Sequence, residues 1–283
     1  MSDVPLIASS RPLFGHGLNG KDADFACMES FSTPAAIEQY LEAMVGAGVR
    51  SLITPLDERL LSVLRRRMDL QIEVIPLMPN VMGLVRDATE YGMMGAGFRL
   101  VWRLGLGTVI PLGLRSMPKA LRVLRRDFPT MLSILFDLEL SLFRAFHVRR
   151  ALLNPQITDL LLAFENKEFF HQYESLLRGR FCIEPGLATS NFGTLARKLE
   201  EWQSTLNLVM TPVNAEGWQM KPNQNACEAA LSSPRYSVIA EKISIENPPT
   251  REALKHVAAF PAVKEIAVDI ANWDTFNRII QQP

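Results

Sequence analysis

The feature that most constrains the fold of this chain is its rhythm. Eight short β-type runs recur along it, at residues 5–9, 49–54, 72–77, 148–153, 181–187, 206–211, 236–243 and 263–270, and amphipathic helical stretches separate most of them. A strand that returns parallel to its predecessor needs a long crossover, and a helix is the usual one. Alternation sustained over eight units therefore predicts an α/β chain closed into a single (β/α)8 TIM barrel spanning 1–283. An open doubly wound sheet is the rival, and it carries a glycine-rich turn between its first strand and helix. The nearest stretch here, Gly15-His-Gly-Leu-Asn-Gly20, has the wrong spacing and no helix directly behind it, so it reads as a loop.

Local signals place the helices. Thr33-Pro34 supplies an N-cap followed by proline at the first helical position, and Gly48 ends that stretch. The stretch from Asp57 carries Leu60, Leu61 and Leu64 on one face, with Arg65, Arg66 and Arg67 near its C-terminus, where cations suit the helix dipole. Pro249-Thr250 opens another helix.

One interval breaks the rhythm. About 70 residues separate the third and fourth runs, roughly twice what a helix and two loops require. The surplus, about 95–150, predicts a helical, basic and apolar insertion between strand 3 and strand 4, with helical stretches at 98–114, 119–126 and 128–146. It holds ten basic residues against three acidic ones. The whole chain has Lys+Arg 30 and Asp+Glu 30, so its neutrality conceals a bipolar molecule. Neutrality overall argues against a dedicated nucleic-acid binder. The insertion could cap the barrel, be buried in a homo-oligomer, or contact a membrane surface or protein partner through 97–146.

Three scattered cysteines, Cys27, Cys182 and Cys227, fit a reducing, cytoplasmic setting rather than a disulfide framework. The first residues show no basic segment followed by an apolar one, and no uncharged apolar run reaches the ~18 residues of a membrane span.

In barrels the chemistry is built at the C-terminal ends of the strands. The polar residues expected there include Arg11, His16, Asp57, Asn80, Asn154, Asp159, Ser190, Asn191, Asn214, Lys242 and Asp269. The ring is rich in Asn and poor in His. Lys242 is its sharpest member, lying within Val238-Ile-Ala-Glu-Lys-Ile-Ser. Alternation puts Val238, Ala240 and Lys242 on one face and Glu241 on the other. A desolvated lysine could form a Schiff base, anchor an anion, or pair with a buried acid. Glu184, counted inward with Gly186 and Ala188, is the candidate partner. Glu184 and Asp57 are the candidate proton-transfer groups, and Asn154, Asn191, Asn214, Ser190, His16 and Asn80 the candidate substrate contacts. The four histidines, His16, His147, His171 and His256, show no metal-ligand spacing, so no metal site is expected. A serine nucleophile elbow is also missing.

Three later stretches carry a resemblance: Glu184-Pro-Gly-Leu-Ala-Thr-Ser-Asn191; Leu208-Val-Met-Thr-Pro-Val-Asn214 with Trp218-Gln-Met-Lys-Pro222; and Val238-Ile-Ala-Glu-Lys-Ile243 closed by Ile266-Ala-Val-Asp269. Over about the last 110 residues the chain resembles TIM-barrel proteins near the aldo/keto reductases. The resemblance implies the barrel. It also implies a nicotinamide cofactor with an Asp, a Tyr, a Lys and a His. The Asp could be Asp57, but Leu61 and Ser62 stand where the Tyr is expected. Pro76-Leu-Met-Pro-Asn80 stands for the Lys, and Asn154-Pro-Gln156 for the His. Without the Tyr that reaction lacks its proton donor.

The leading expectation is a small-molecule enzyme performing a lyase, isomerase or aldolase-type step on a carbonyl or carboxylate compound. Its rivals are a non-catalytic barrel that binds through the basic insertion, and an oxidoreductase using NAD(P) or flavin. No cofactor is predicted from a motif.

Overall fold

The computed structural model describes residues 4–15, 21–80, 128–245 and 248–281. Eight parallel strands close into a barrel in sequence order. They are β1 (Leu6–Ser9), β2 (Ser51–Thr54), β3 (Glu73–Met78), β4 (Arg150–Leu153), β5 (Glu184–Ala188), β6 (Leu208–Pro212), β7 (Ser237–Glu241) and β8 (Val263–Val268). Each falls inside its expected run or within a residue of it. The closing contact pairs β1 with β8, Ile7 opposite Ala267.

The described helices are α1 (Lys21–Ser30), α2 (Pro34–Gly46), α3 (Glu58–Arg66), α4 (Phe128–Phe143), α5 (Pro155–Ala163), α6 (Lys167–Ser175), α7 (Phe192–Glu201), α8 (Gln224–Leu231), α9 (Arg251–Ala258) and α10 (Trp273–Gln281). Thr33 caps α2 by accepting from the Ala36 N–H, and Thr250 caps α9 by accepting from Ala253. Of the expected insertion, α4 and the chain from it to β4 are described; residues 95–127 lie outside the described residues. No helix among the described residues is long and apolar enough to cross a membrane.

Period-two alternation sorts the strand side chains into two cores. Ile7, Ile53, Ile75, Leu152, Met210 and Ile239 pack inside the barrel, and Ala8, Leu52, Val74, Leu153, Val209 and Val238 face the helices. β5 is thin on the inner side for a steric reason. A Cβ on Gly186 would sit 2.6 Å from Leu152 Cδ2 and 2.9 Å from Leu208 Cγ. The leucines on both neighbours fill the space a larger β5 residue would take. Outside the sheet, Tyr173 of α6 is buried, and its hydroxyl reaches the carbonyls of Ala151 (3.2 Å) and Gly186 (2.9 Å), tying helix to strands.

The N-terminal end of the barrel is sealed by charge. Arg150, the first residue of β4, turns inward and donates to Glu265 of β8 across the barrel, with one contact at 2.7 Å. Its Nε lies 3.3 Å from Glu73 of β3, which also accepts from Ser51 at 3.0 Å. Arg150 was counted with the basic insertion; its charge is spent inside the barrel. Asp137 of α4 is likewise paired, with Arg180 at 2.5 Å.

Candidate active site at the barrel mouth

The C-terminal mouth carries a cluster of charged side chains, gathered around an arginine just after β1. Ser9 ends that strand, Ser10 is fully buried, and Arg11 follows. Arg11 Nη2 donates to Glu241 Oε2 at 2.5 Å, and Nη1 to Asp269 Oδ2 at 3.3 Å. The Glu241 charge holds the guanidinium pKa above its ordinary value, against the opposing effect of burial. Asp269 is pushed up by burial, with Arg11 opposing. Beneath them a cavity of about 20 Å³, the size of one water, has Ile53, Leu77, Met210 and Ala267 as its apolar wall.

Glu241 shows where the expected alternation goes wrong. Ile239 packs inside the barrel and Val238 outside, so the inner face of β7 is Ile239 and Glu241. Lys242 was expected inward by counting from Val238, but the strand ends before it. Its φ is +49°, in the left-handed region that non-glycine residues rarely adopt. That turn breaks the alternation and brings the side chain back to the mouth. Lys242 Nζ donates to Gln219 Oε1 at 2.5 Å and lies 4.0 Å from Glu241 Oε1. Burial lowers its pKa, Glu241 opposes that, and the Arg11 charge lowers it further.

A third carboxylate joins from α5. Asp159 accepts from the Thr189 hydroxyl and, at 3.3 Å, from the Ser190 N–H. Burial raises its pKa, and the charges of Lys221 and Lys242 act in the opposite direction.

The expected site residues divide sharply. Glu184 does not meet Lys242. It opens β5 at the N-terminal end of the barrel, opposite the mouth, and is exposed. It stands at the foot of the strand, two and four residues before Gly186 and Ala188. Asp57 is the N-cap of α3, accepting from the Leu60 N–H at 3.0 Å. Asn154 caps α5 through the Gln156 N–H at 3.0 Å. Asn80 donates to the Leu56 carbonyl at 2.6 Å. Asn214 is consumed as a bracket: it donates to the carbonyls of Trp218 (2.9 Å) and Lys242 (3.0 Å) and accepts from the Trp218 N–H (2.7 Å). It holds the turn that carries Lys242. Ser190 and Asn191 stand at the mouth, and the Asn191 Oδ1 is a buried acceptor with no partner among the described residues. His16 lies outside the described residues. Arg11, Asp159 and Asp269 were visible as strand-end polar residues but were not assigned roles. Glu241 was missed because it was placed on the outer face. No group of three or more potential metal ligands occurs among the described residues.

Comparison with known proteins supports the architecture. No family model matches the chain, and no curated protein does. A solved structure named "Putative aldo-keto reductase from Pseudomona aeruginosa" is similar with a TM-score of 0.55, over 98% of this chain and 87% of that one. The identity is 14%, so the likeness is one of fold. The likeness covers nearly the whole chain, beyond the last 110 residues that carry the resemblance in sequence. The residues at the reductase positions do not reconstitute that family's set: Asp57 is a helix cap, Leu61 is buried in the outer core, and Asn154 is a cap.

Proposed function

We propose that this barrel is an enzyme acting on the carbonyl group of a small metabolite at its C-terminal mouth, with the Lys242 amine as the reacting group. Lyase or aldolase-type chemistry is the version this supports best. The observation that carries it is the state of Lys242: a left-handed backbone, a desolvated side chain, and a neutral amide as its near hydrogen-bond partner. Glu241, the closest carboxylate, is already engaged by Arg11. A lysine kept from a tight ion pair and partly desolvated holds a larger fraction of neutral amine. Strained backbone at such a residue fits a functional position.

The step is addition of Nζ to the carbonyl carbon, then loss of water to give a Schiff base. Both amine protons leave with the carbonyl oxygen. A carboxyl group must carry one of them, and Asp159 and Asp269, whose proton affinities burial raises above the ordinary carboxylate range, are the candidates. These replace Glu184 and Asp57 in the proton-transfer role. Arg11 fixes Glu241 and Asp269 beside the amine.

Borohydride reduction in the presence of a panel of aldehydes and keto acids should leave a mass adduct on the Lys242 peptide. The Lys242→Arg protein should show none. Absence of any adduct at Lys242 in the unaltered protein overturns the reading.

The likeness to a structure carrying a reductase name favours a second reading, reduction of the same carbonyl by a nicotinamide cofactor. The residues at that family's proton-transfer positions do not fit it: Leu61 stands where its tyrosine is expected. Fluorescence titration with NADPH decides: saturable binding with turnover of a carbonyl compound would favour reduction over Schiff-base chemistry.

A further inference from the structure

We propose that the opposite, N-terminal end of the barrel carries a second ligand site, a pocket for a small phosphate ester with an apolar or aromatic body. The proposal is independent of the chemistry assigned to the mouth. The pocket has a volume of about 500 Å³, in the range of small-molecule sites. It lies where β2, β3 and β4 begin. Closed-barrel pairing sets these openings side by side: the Glu73 N–H donates to the Arg50 carbonyl at 2.8 Å, and Glu73 forms a bridge with His147. The residues just ahead of the strands, Arg50, His147 and Arg149, therefore come to one rim. Leu64, Ile72 and Phe146 supply an apolar wall.

The charges at the rim are unequally spent. Arg67 is engaged by Glu38, Glu42 and Asp69, none of which lines the pocket. Glu73, the acid in the lining, is engaged by Arg150 and Ser51. Arg50 donates to the Leu70 carbonyl at 3.1 Å, and Arg149 to His147 Nε2 at 2.6 Å. Neither is ion-paired with a carboxylate among the described residues. Two guanidinium groups tethered through neutral acceptors, beside an apolar wall, match an anion with a hydrophobic tail. Arginine forks fit phosphate oxygens in a bidentate geometry.

Phenyl phosphate is the probe, read by calorimetric titration at low ionic strength. It should bind more tightly than inorganic phosphate. An Arg50→Gln/Arg149→Gln protein should lose about tenfold or more in affinity. Both positions are exposed, and circular dichroism will confirm that the double variant is folded. Lys242→Ala should leave binding unchanged, which separates this pocket from the mouth. Bound phenyl phosphate should also shield Arg50 and Arg149 from phenylglyoxal, read by peptide mass. Equal binding of inorganic phosphate, unchanged affinity in the double variant, loss of binding in Lys242→Ala, or no binding at all would each overturn the proposal.

Discussion

Two ionisable residues carry the sharpest predictions. Lys242 is held below the ordinary lysine range by burial. Adduct formation at Lys242 should therefore rise with pH and level off below the ~10.4 of a free lysine. A plateau at or above that value would remove the case for a desolvated amine. Glu139, on α4, is a different buried acid. It is 1% exposed and accepts the Asn80 N–H at 2.9 Å. Burial pushes its carboxyl up to about 8, and that hydrogen bond only partly opposes the shift. An unfolded glutamate releases its proton near 4.3. Between these values folding takes up a proton, so stability is full at low pH and falls by up to ~1.4 kcal/mol per pH unit as pH rises towards 8. Glu139→Gln should flatten that slope and make the protein more stable than the parent at pH 7.5. Urea midpoints at pH 5 and 7.5 measure it; parallel loss in both proteins would show that Glu139 is not the group responsible.

The elements were readable where periodicity governs them and obscure where a single residue changes it. Alternation located all eight strands because each buries one face inside the barrel and the other under helices. It misplaced Glu241 because alternation groups residues by face without saying which face is inner; Lys242 reaches the mouth through a left-handed conformation for which Lys, unlike Gly, carries no sequence signal. It misplaced Glu184 in height because the expected run begins at 181 whereas β5 begins at Glu184, so a residue counted as mid-strand stands at the strand's foot. Asp57 and Asn154 were ambiguous for another reason: a carboxylate or amide after a strand also begins the next helix, and capping is the commoner use. Asp57→Ala should therefore cost about 1 kcal/mol of stability, with the Lys242 adduct still forming. Loss of the adduct in a fully folded Asp57→Ala protein would return Asp57 to the chemistry.

At the scale of the whole molecule, each end of the barrel gathers two acids around one arginine. Arg11 is clamped by Glu241 and Asp269 at the mouth, and Arg150 by Glu73 and Glu265 at the base. The two clusters differ in what they leave available. At the mouth, Lys242 and Asp159 stand beside the clamp with shifted proton affinities. At the base, Arg150 joins strands that face each other across the barrel and takes up both nearby acids. Removing Arg150 would leave two carboxylates confined together without a cation. A buried pair that loses one partner typically costs 3–5 kcal/mol. Arg150 is partly exposed, with 14% of its side chain accessible, so about 2–3 kcal/mol is expected for Arg150→Met. Arg149→Met, one residue away on the surface, should change stability by no more than about 0.5 kcal/mol. Chemical denaturation of the two variants side by side tests this. Equal, small effects would mean that the basal cluster is solvated and that the barrel is held by its apolar interior alone.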